Sequence, residues 1–273
     1  MEASVNIETV RARTVLLDAL EALGGHLPSI ILVGAQAIYR RTGAAEVALA
    51  EFTTDADLVI DPRSLSPNPL IEDAMTVAGF VRDPSNINPG TWISRDGIPV
   101  DLMVPDQVAG KGRRGVTVGP HDRGSMRRTV GLEATLVDNG ILSVAGLADN
   151  DGRRIDVRVA GTAGLLVAKL HKVSERLETP RRRDDKDAHD IYRILVAIST
   201  EDLVDTFRVL LNDVVSEAVT SDALSMLERV FASGPEAPGS TMAGRAEHAI
   251  GDPEQVSLAV SILAADLMKA LDR

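Results

Sequence analysis

Thr53-Thr54-Asp55-Ala56-Asp57-Leu58-Val59-Ile60-Asp61 sets two acids one residue apart at the head of an apolar, β-branched run. The run reads as a buried strand, and side chains two apart in a strand share a face. Asp55 and Asp57 therefore point the same way, roughly 7 Å apart at Cα. Two carboxylates on one face repel each other and lose hydration as the strand is buried. A divalent cation compensates both costs. A strand that begins with solvated acids at a turn is the alternative reading of the same residues.

Upstream, Ser29-Ile30-Ile31-Leu32-Val33-Gly34-Ala35-Gln36-Ala37 reads as a short buried strand, a glycine turn and a helix running from Ala35 to Arg41. Such a junction points free backbone N–H groups at the turn, where they suit a phosphate. Downstream, Asp96-Gly97 is a hairpin dipeptide joining Thr91–Arg95 to Ile98–Val104. Asp101 lies inside the second of these strands, where a charge needs a partner. If that strand lies beside the first, Asp55, Asp57 and Asp101 form a cluster able to hold two Mg²⁺ ions, or Mn²⁺ in their place. Pairing of Asp101 with an arginine is the alternative.

In this order Gly34-Ala35, Asp55-x-Asp57 and a later Asp101 resemble the signature of the nucleotidyltransferase (DNA polymerase β-like) superfamily. Leu165-Leu166-Val167-Ala168-Lys169-Leu170 and Arg183-Asp184-Asp185-Lys186-Asp187-Ala188-His189-Asp190-Ile191-Tyr192 resemble the late lysine and KDxxD segments of its AbiEii/AbiGii toxin-type members. The resemblance spans roughly residues 29–195. It implies an α+β protein: a mixed-sheet nucleotidyltransferase core flanked by helices, then a C-terminal helical domain. It also implies transfer of a nucleotidyl group from an NTP to an acceptor hydroxyl. Gly34, Ala35 and Gln36 would embrace the phosphates, and Asp55, Asp57 and Asp101 would bind the metals. Lys169, Lys172, Lys186 and Asp187 would complete the nucleotide site, with Lys169 also catalytic. A tRNA 3′ end is the acceptor and an antitoxin protein the partner implied by the toxin-type members, with a protein hydroxyl or a small molecule as the alternative acceptors. Ala35 departs from the Gly or Ser usual at its position: the amide remains, a hydroxyl does not. A degenerate member that binds nucleotide or a protein partner without turnover is the alternative.

The formal charge of −11 argues against general attraction to nucleic acid. Its distribution is uneven. Lys111, Arg113, Arg114, Arg123, Arg127 and Arg128 face a single acid, Asp122, over residues 111–128, and Arg181-Arg182-Arg183 forms a second run. These read either as solvated loops or as a basic rim for an RNA end. Scarce aromatics, one Trp, two Tyr and four Phe, disfavour base-stacking platforms. With no cysteine, no apolar run long enough for a bilayer and no signal-like start, the expected setting is the cytoplasm, without membrane contact.

The pattern predicts helices over 8–23 and 69–78, and strands near 29–33, 56–61, 91–95, 98–104, 131–138, 141–145 and 153–159, with Asp138-Asn139-Gly140 a turn. From Thr162 the chain reads as helical. This places a nucleotidyltransferase-type domain over 1–160 and a helical domain over 161–273. Lys169, Lys172 and Arg176 share one helix face as a cationic stripe suited to a triphosphate. Asp187 and Asp190 are candidate acceptors for these cations. Ser233–Gly244, rich in Gly, Pro and Ser, reads as a mobile connector.

Overall fold

The computed structural model describes residues 6–43, 45, 47–48, 52–84, 89–112, 114–179 and 184–272. The chain is α+β, with an eight-stranded mixed sheet, flanking helices and a helical C-terminal region among these residues. It divides into two compact units, Met1–Ala37 with Glu51–Ala160, and Ile38–Ala50 with Gly161–Arg273. None of the described helices is long and apolar enough to cross a membrane.

The first unit opens with α1 (Ile7–Ala22), capped by Asn6, whose side chain accepts from the Glu8 amide. A 3₁₀ turn over Gly24–Ser29 leads into β1 (Ile30–Val33), buried at every residue, and α2 (Gly34–Thr42) starts directly after it. Then come β2 (Ala56–Ile60), α3 (Ile71–Val77), β3 (Val81–Arg82), β4 (Thr91–Ile93), β5 (Pro99–Pro105), β6 (Arg127–Thr129), α4 (Glu133–Val137), β7 (Asn139–Ala145) and β8 (Arg154–Ala160). The sheet order is β3-β4-β5-β2-β1-β8-β7, with β6 pairing β5 beyond the end of β4. β2 runs antiparallel to β1 and parallel to β5. Their near-continuous apolar sequence follows from burial on both faces, with α1 packing on β2 and β5 and α4 on β1.

Two predictions in this unit are corrected. Residues 131–138 are not a strand: Leu132, Ala134 and Leu136 alternate as a strand would, but Glu133 between them is fully buried. Its carboxylate accepts from the amides of Gly131 and Gln107, and the turn it stabilises winds into α4. The expected turn at Asp138-Asn139-Gly140 is instead the start of β7. Asn139 donates its side-chain N–H groups to the Thr135 and Leu136 carbonyls, closing α4. The basic stretch is partly ordered into the sheet as β6, with Gly115 bridging to Arg127.

The second unit carries α5 (Thr162–Glu178), α6 (Asp185–Ala197), α7 (Thr200–Leu211), α8 (Glu217–Leu227), a π-helical turn over Glu228–Ala232, α9 (Pro238–Ala246) and α10 (Pro253–Leu271). The predicted mobile connector is corrected here. Ser233–Gly244 contains the first two turns of α9, and Gly239, Ser240, Met242, Ala243 and Gly244 are buried. Its glycines permit close approach rather than flexibility. A Cβ on Gly239 would lie 2.5 Å from the Phe231 ring, and one on Gly244 would lie 2.3 Å from the Pro253 carbonyl oxygen.

Candidate functional site

At one end of the sheet the first unit gathers the end of β1, the start of α2 and the first residues of β2 and β5. Val33 of β1 is opposite Asp57 of β2, and Asp57 is the register partner of Asp101 in β5. In register, neighbouring strands lie about 4.8 Å apart and their side chains share a face. Asp57 and Asp101 are therefore adjacent carboxylates, both half-buried, with Asp55 one alternation further along. The sequence alone left the pairing of the two strands open; the parallel β2–β5 ladder supplies it.

Each outer acid has a hydroxyl partner. Thr53 donates to Asp55 Oδ1 over 2.8 Å. Thr91 donates to Asp101 Oδ1 over 2.6 Å, and Arg127 to Asp101 Oδ2 over 2.5 Å. Pairing of Asp101 with an arginine, the alternative reading of the sequence, is thus present, and the arginine is Arg127, which the sequence placed in the basic rim; Thr91 was not anticipated. The hairpin at Asp96-Gly97 contains the signal for Thr91, because its register sets Thr91 directly opposite Asp101. Nothing local signals Arg127, which comes from the separate strand β6.

Gly34 makes the junction possible. Its φ is +69°, and a Cβ there would lie 2.1 Å from Asp57 Oδ2. Any other residue would be strained and would meet the carboxylate. Ala35 is buried, and Gln36 is buried too, its side chain occupied within the unit. Gln36 Oε1 accepts from Arg13 Nε over 2.8 Å, and Nε2 donates to the carbonyls of Asp55 over 2.9 Å and Ala12 over 3.3 Å. Gln36 thus positions the Asp55 backbone, so any phosphate contact it makes would use its main chain.

In the second unit Lys169 is buried on α5 between two acids of α6. Its Nζ lies 2.7 Å from Asp187 Oδ1 and 2.6 Å from Asp190 Oδ2. Arg176 and Lys172 also pair with Asp187, Lys172 at 3.3 Å with its side chain about half exposed. Burial alone would push the Asp187 carboxyl up, but the Lys169, Lys172 and Arg176 charges hold it well below the usual carboxylate range. Burial would likewise push the Lys169 ammonium down, and Asp190 and Asp187 reverse that and hold it above its ordinary value. Lys186 lies over the Tyr39 ring at 5.9 Å, and Arg193 over the same ring at 5.1 Å. His189, half of a buried pair with Glu247 at 2.8 Å, packs edge-on against Tyr192.

Of the basic segment, Lys111, Arg114 and Arg123 are exposed. Arg128 is not: it pairs with Asp106 and donates to the Asp106, Ala109 and Gly110 carbonyls. Arg113 and Arg181–Arg183 lie outside the described residues.

Among the described residues no three His, Asp or Glu side chains are drawn together as a ready metal cage. By donor type, however, Asp55, Asp57 and Asp101 fit a hard divalent cation, which takes carboxylate oxygens. The register of Asp57 with Asp101 and the clearance at Gly34 place two of these donors side by side.

No family model matches the chain, and no curated protein matches its sequence. A crystal structure described as "putative nucleotidyltransferase from H. pylori" is 10% identical, with 98% of each chain covered and a TM-score of 0.30.

Proposed function

We propose that the first unit carries a divalent-cation-dependent nucleotidyl-transfer site, acting from an NTP on an acceptor hydroxyl. The observation that carries this reading is the in-register pair Asp57–Asp101 beside the positive-φ Gly34 at a strand-to-helix turn. In this reading Asp55, Asp57 and Asp101 hold Mg²⁺ or Mn²⁺, which when bound supplies positive charge to the phosphate oxygens and acidifies the acceptor hydroxyl. The backbone amides at the start of α2 take the phosphates. The acceptor oxygen forms a bond to the α-phosphorus while the bond from that phosphorus to the β-phosphate oxygen breaks. Pyrophosphate leaves with the electron pair, and the hydroxyl proton passes to a carboxylate oxygen of Asp101.

The acceptor proposed is a tRNA 3′ end, supported by the exposed Lys111 and Arg114 and by the resemblance to toxin-type enzymes. The same resemblance supports a toxin-like role with an antitoxin partner. Lys169, with its ammonium held by two acids, is proposed to position α5 and α6 rather than to touch substrate.

Calorimetric titration of each NTP in the presence of Mn²⁺, with pyrophosphate release measured on added tRNA, tests the proposal. Binding and release are expected in the wild-type chain, and Asp57→Asn is expected to lower release at least a thousandfold. Full activity in Asp57→Asn would remove the site assignment. The engagement of both Asp101 oxygens by Thr91 and Arg127 favours one second reading, a protein that binds nucleotide without turnover. It predicts NTP binding with no pyrophosphate released.

A further inference from the structure

Two neighbouring arginines on β6 are used differently. Arg128 is clamped by the Asp106 carboxylate and by three backbone carbonyls, which ties the 106–110 loop to the sheet. Among the described residues the Arg127 side chain donates to no backbone carbonyl. Its backbone pairs with Met103, two residues beyond Asp101 on the same face, and its side chain reaches back along β5. There one N–H donates to Asp101 Oδ2, and another donates to Thr129 Oγ1 over 3.1 Å. The Arg127 and Asp101 side chains are 27% and 25% exposed. The pair is partly buried yet still reached by water, so its contribution to folding is modest. Removing it should therefore leave the sheet standing, since β6 is held by its own ladder to β5.

We infer that Arg127 is a displaceable countercharge: it occupies Asp101 until a divalent cation arrives, and so sets the cation concentration at which the site loads. The inference rests on the cation-dependent reading above. Asp101 has two oxygens, one accepting from Thr91 and the other from Arg127. Each of these oxygens keeps a second lone pair for a cation, but the guanidinium beside Oδ2 repels that cation and competes with it for the same negative charge. Loading is thus a competition between two positive charges for one carboxylate. Without Arg127 the cation would meet an Asp101 oxygen with no positive charge beside it and a more negative site. Arg127 therefore makes loading less favourable.

Calorimetric titration of Mn²⁺ into the full chain, without nucleotide, tests this. Wild-type, Arg127→Gln, Arg127→Met, Arg127→Lys and Asp57→Asn are compared, with fluorescence of the single tryptophan, Trp92, as the folding control. Arg127→Gln and Arg127→Met are expected to bind Mn²⁺ on the order of tenfold more tightly, equivalent to about 1.4 kcal/mol. Arg127→Lys keeps the charge and should remain near the wild-type affinity, while Asp57→Asn should abolish binding. Unchanged or weaker binding in both neutral variants, with Asp57→Asn still abolishing it, overturns the countercharge and leaves the cation site standing. No Mn²⁺ binding in wild-type or in either neutral variant removes the cation-dependent reading and the inference with it.

Discussion

At Gly34 the space that a Cβ would need already belongs to the Asp57 carboxylate, and the backbone is in the left-handed region. Gly34→Ala is expected to destabilise the first unit by about 1–3 kcal/mol, as non-glycine residues at positive φ do. It should also push Asp57 out of line with Asp101. Urea unfolding followed by Trp92 fluorescence measures the first effect, and loss of Mn²⁺ binding reports the second. Lys169 poses the opposite problem, since its charge is enclosed by Asp187 and Asp190 with all three side chains at least nine-tenths buried. Removing one member of such a group leaves the others uncompensated, so Lys169→Ala is expected to cost about 3–5 kcal/mol. The loss should appear in the helical circular dichroism of the second unit. If Lys169→Ala unfolds at the wild-type urea midpoint, the ion group does not hold α5 to α6. The three acids and Gly34 stand out in the sequence by residue type and spacing, and Lys169 by resemblance. What each touches does not, because contact partners such as Arg127 are distant in sequence and carry no local pattern.

Most elements were readable where one periodicity dominated. Strands β1, β2 and β5 are short apolar runs bounded by Gly, Asp and Pro, and α1 ends at Gly24-Gly25. Failures came where burial overrode composition. Glu133 is a charged residue inside the core, which turns an apparent alternating strand into the helical turn α4. α9 contains the residues that ordinarily mark a linker, yet it is buried because Phe231, Pro253 and Ser257 approach its glycines closely. Gly239→Ala therefore has a defined expectation: although alanine favours helices, the added methyl meets the Phe231 ring and should destabilise the second unit by about 1–3 kcal/mol. A gain in the thermal midpoint of Gly239→Ala would show that α9 is not packed this way. Asn139→Ala, which removes two bonds to the α4 carbonyls, is expected to cost on the order of 1 kcal/mol in unfolding read at Trp92.

On the scale of the whole molecule the two units should respond to acid in different windows. In the first unit His26 is buried, bonded to the Pro69 carbonyl and edge-on to His121, and burial holds its pKa below the ordinary histidine value. A group with a depressed folded pKa contributes stability that is present above its unfolded value and is lost as pH falls through the folded one. The urea midpoint read at Trp92 should therefore begin to fall below about pH 6.5, and fall less in His26→Gln. In the second unit Asp187 follows the same sign rule at a lower range. Its contribution should hold until pH drops below about 3.9, the ordinary carboxylate value, and be lost towards its depressed one. Lys169 has a raised pKa, so its contribution is present below the ordinary lysine value and survives mild alkali. A single acid transition shared by the Trp92 signal and the helical signal would contradict this separation. The sequence by itself determined the α+β class, the strand-glycine-helix junction, the acid spacing and the helical C-terminal region, because these depend on periodicity and residue type over a few neighbours. Only the tertiary structure decided that Asp57 and Asp101 stand in register, that Arg127 occupies Asp101, and that α9 is packed rather than loose. Those facts arise from strand pairing and burial between segments far apart in the chain, where no local pattern records the partner.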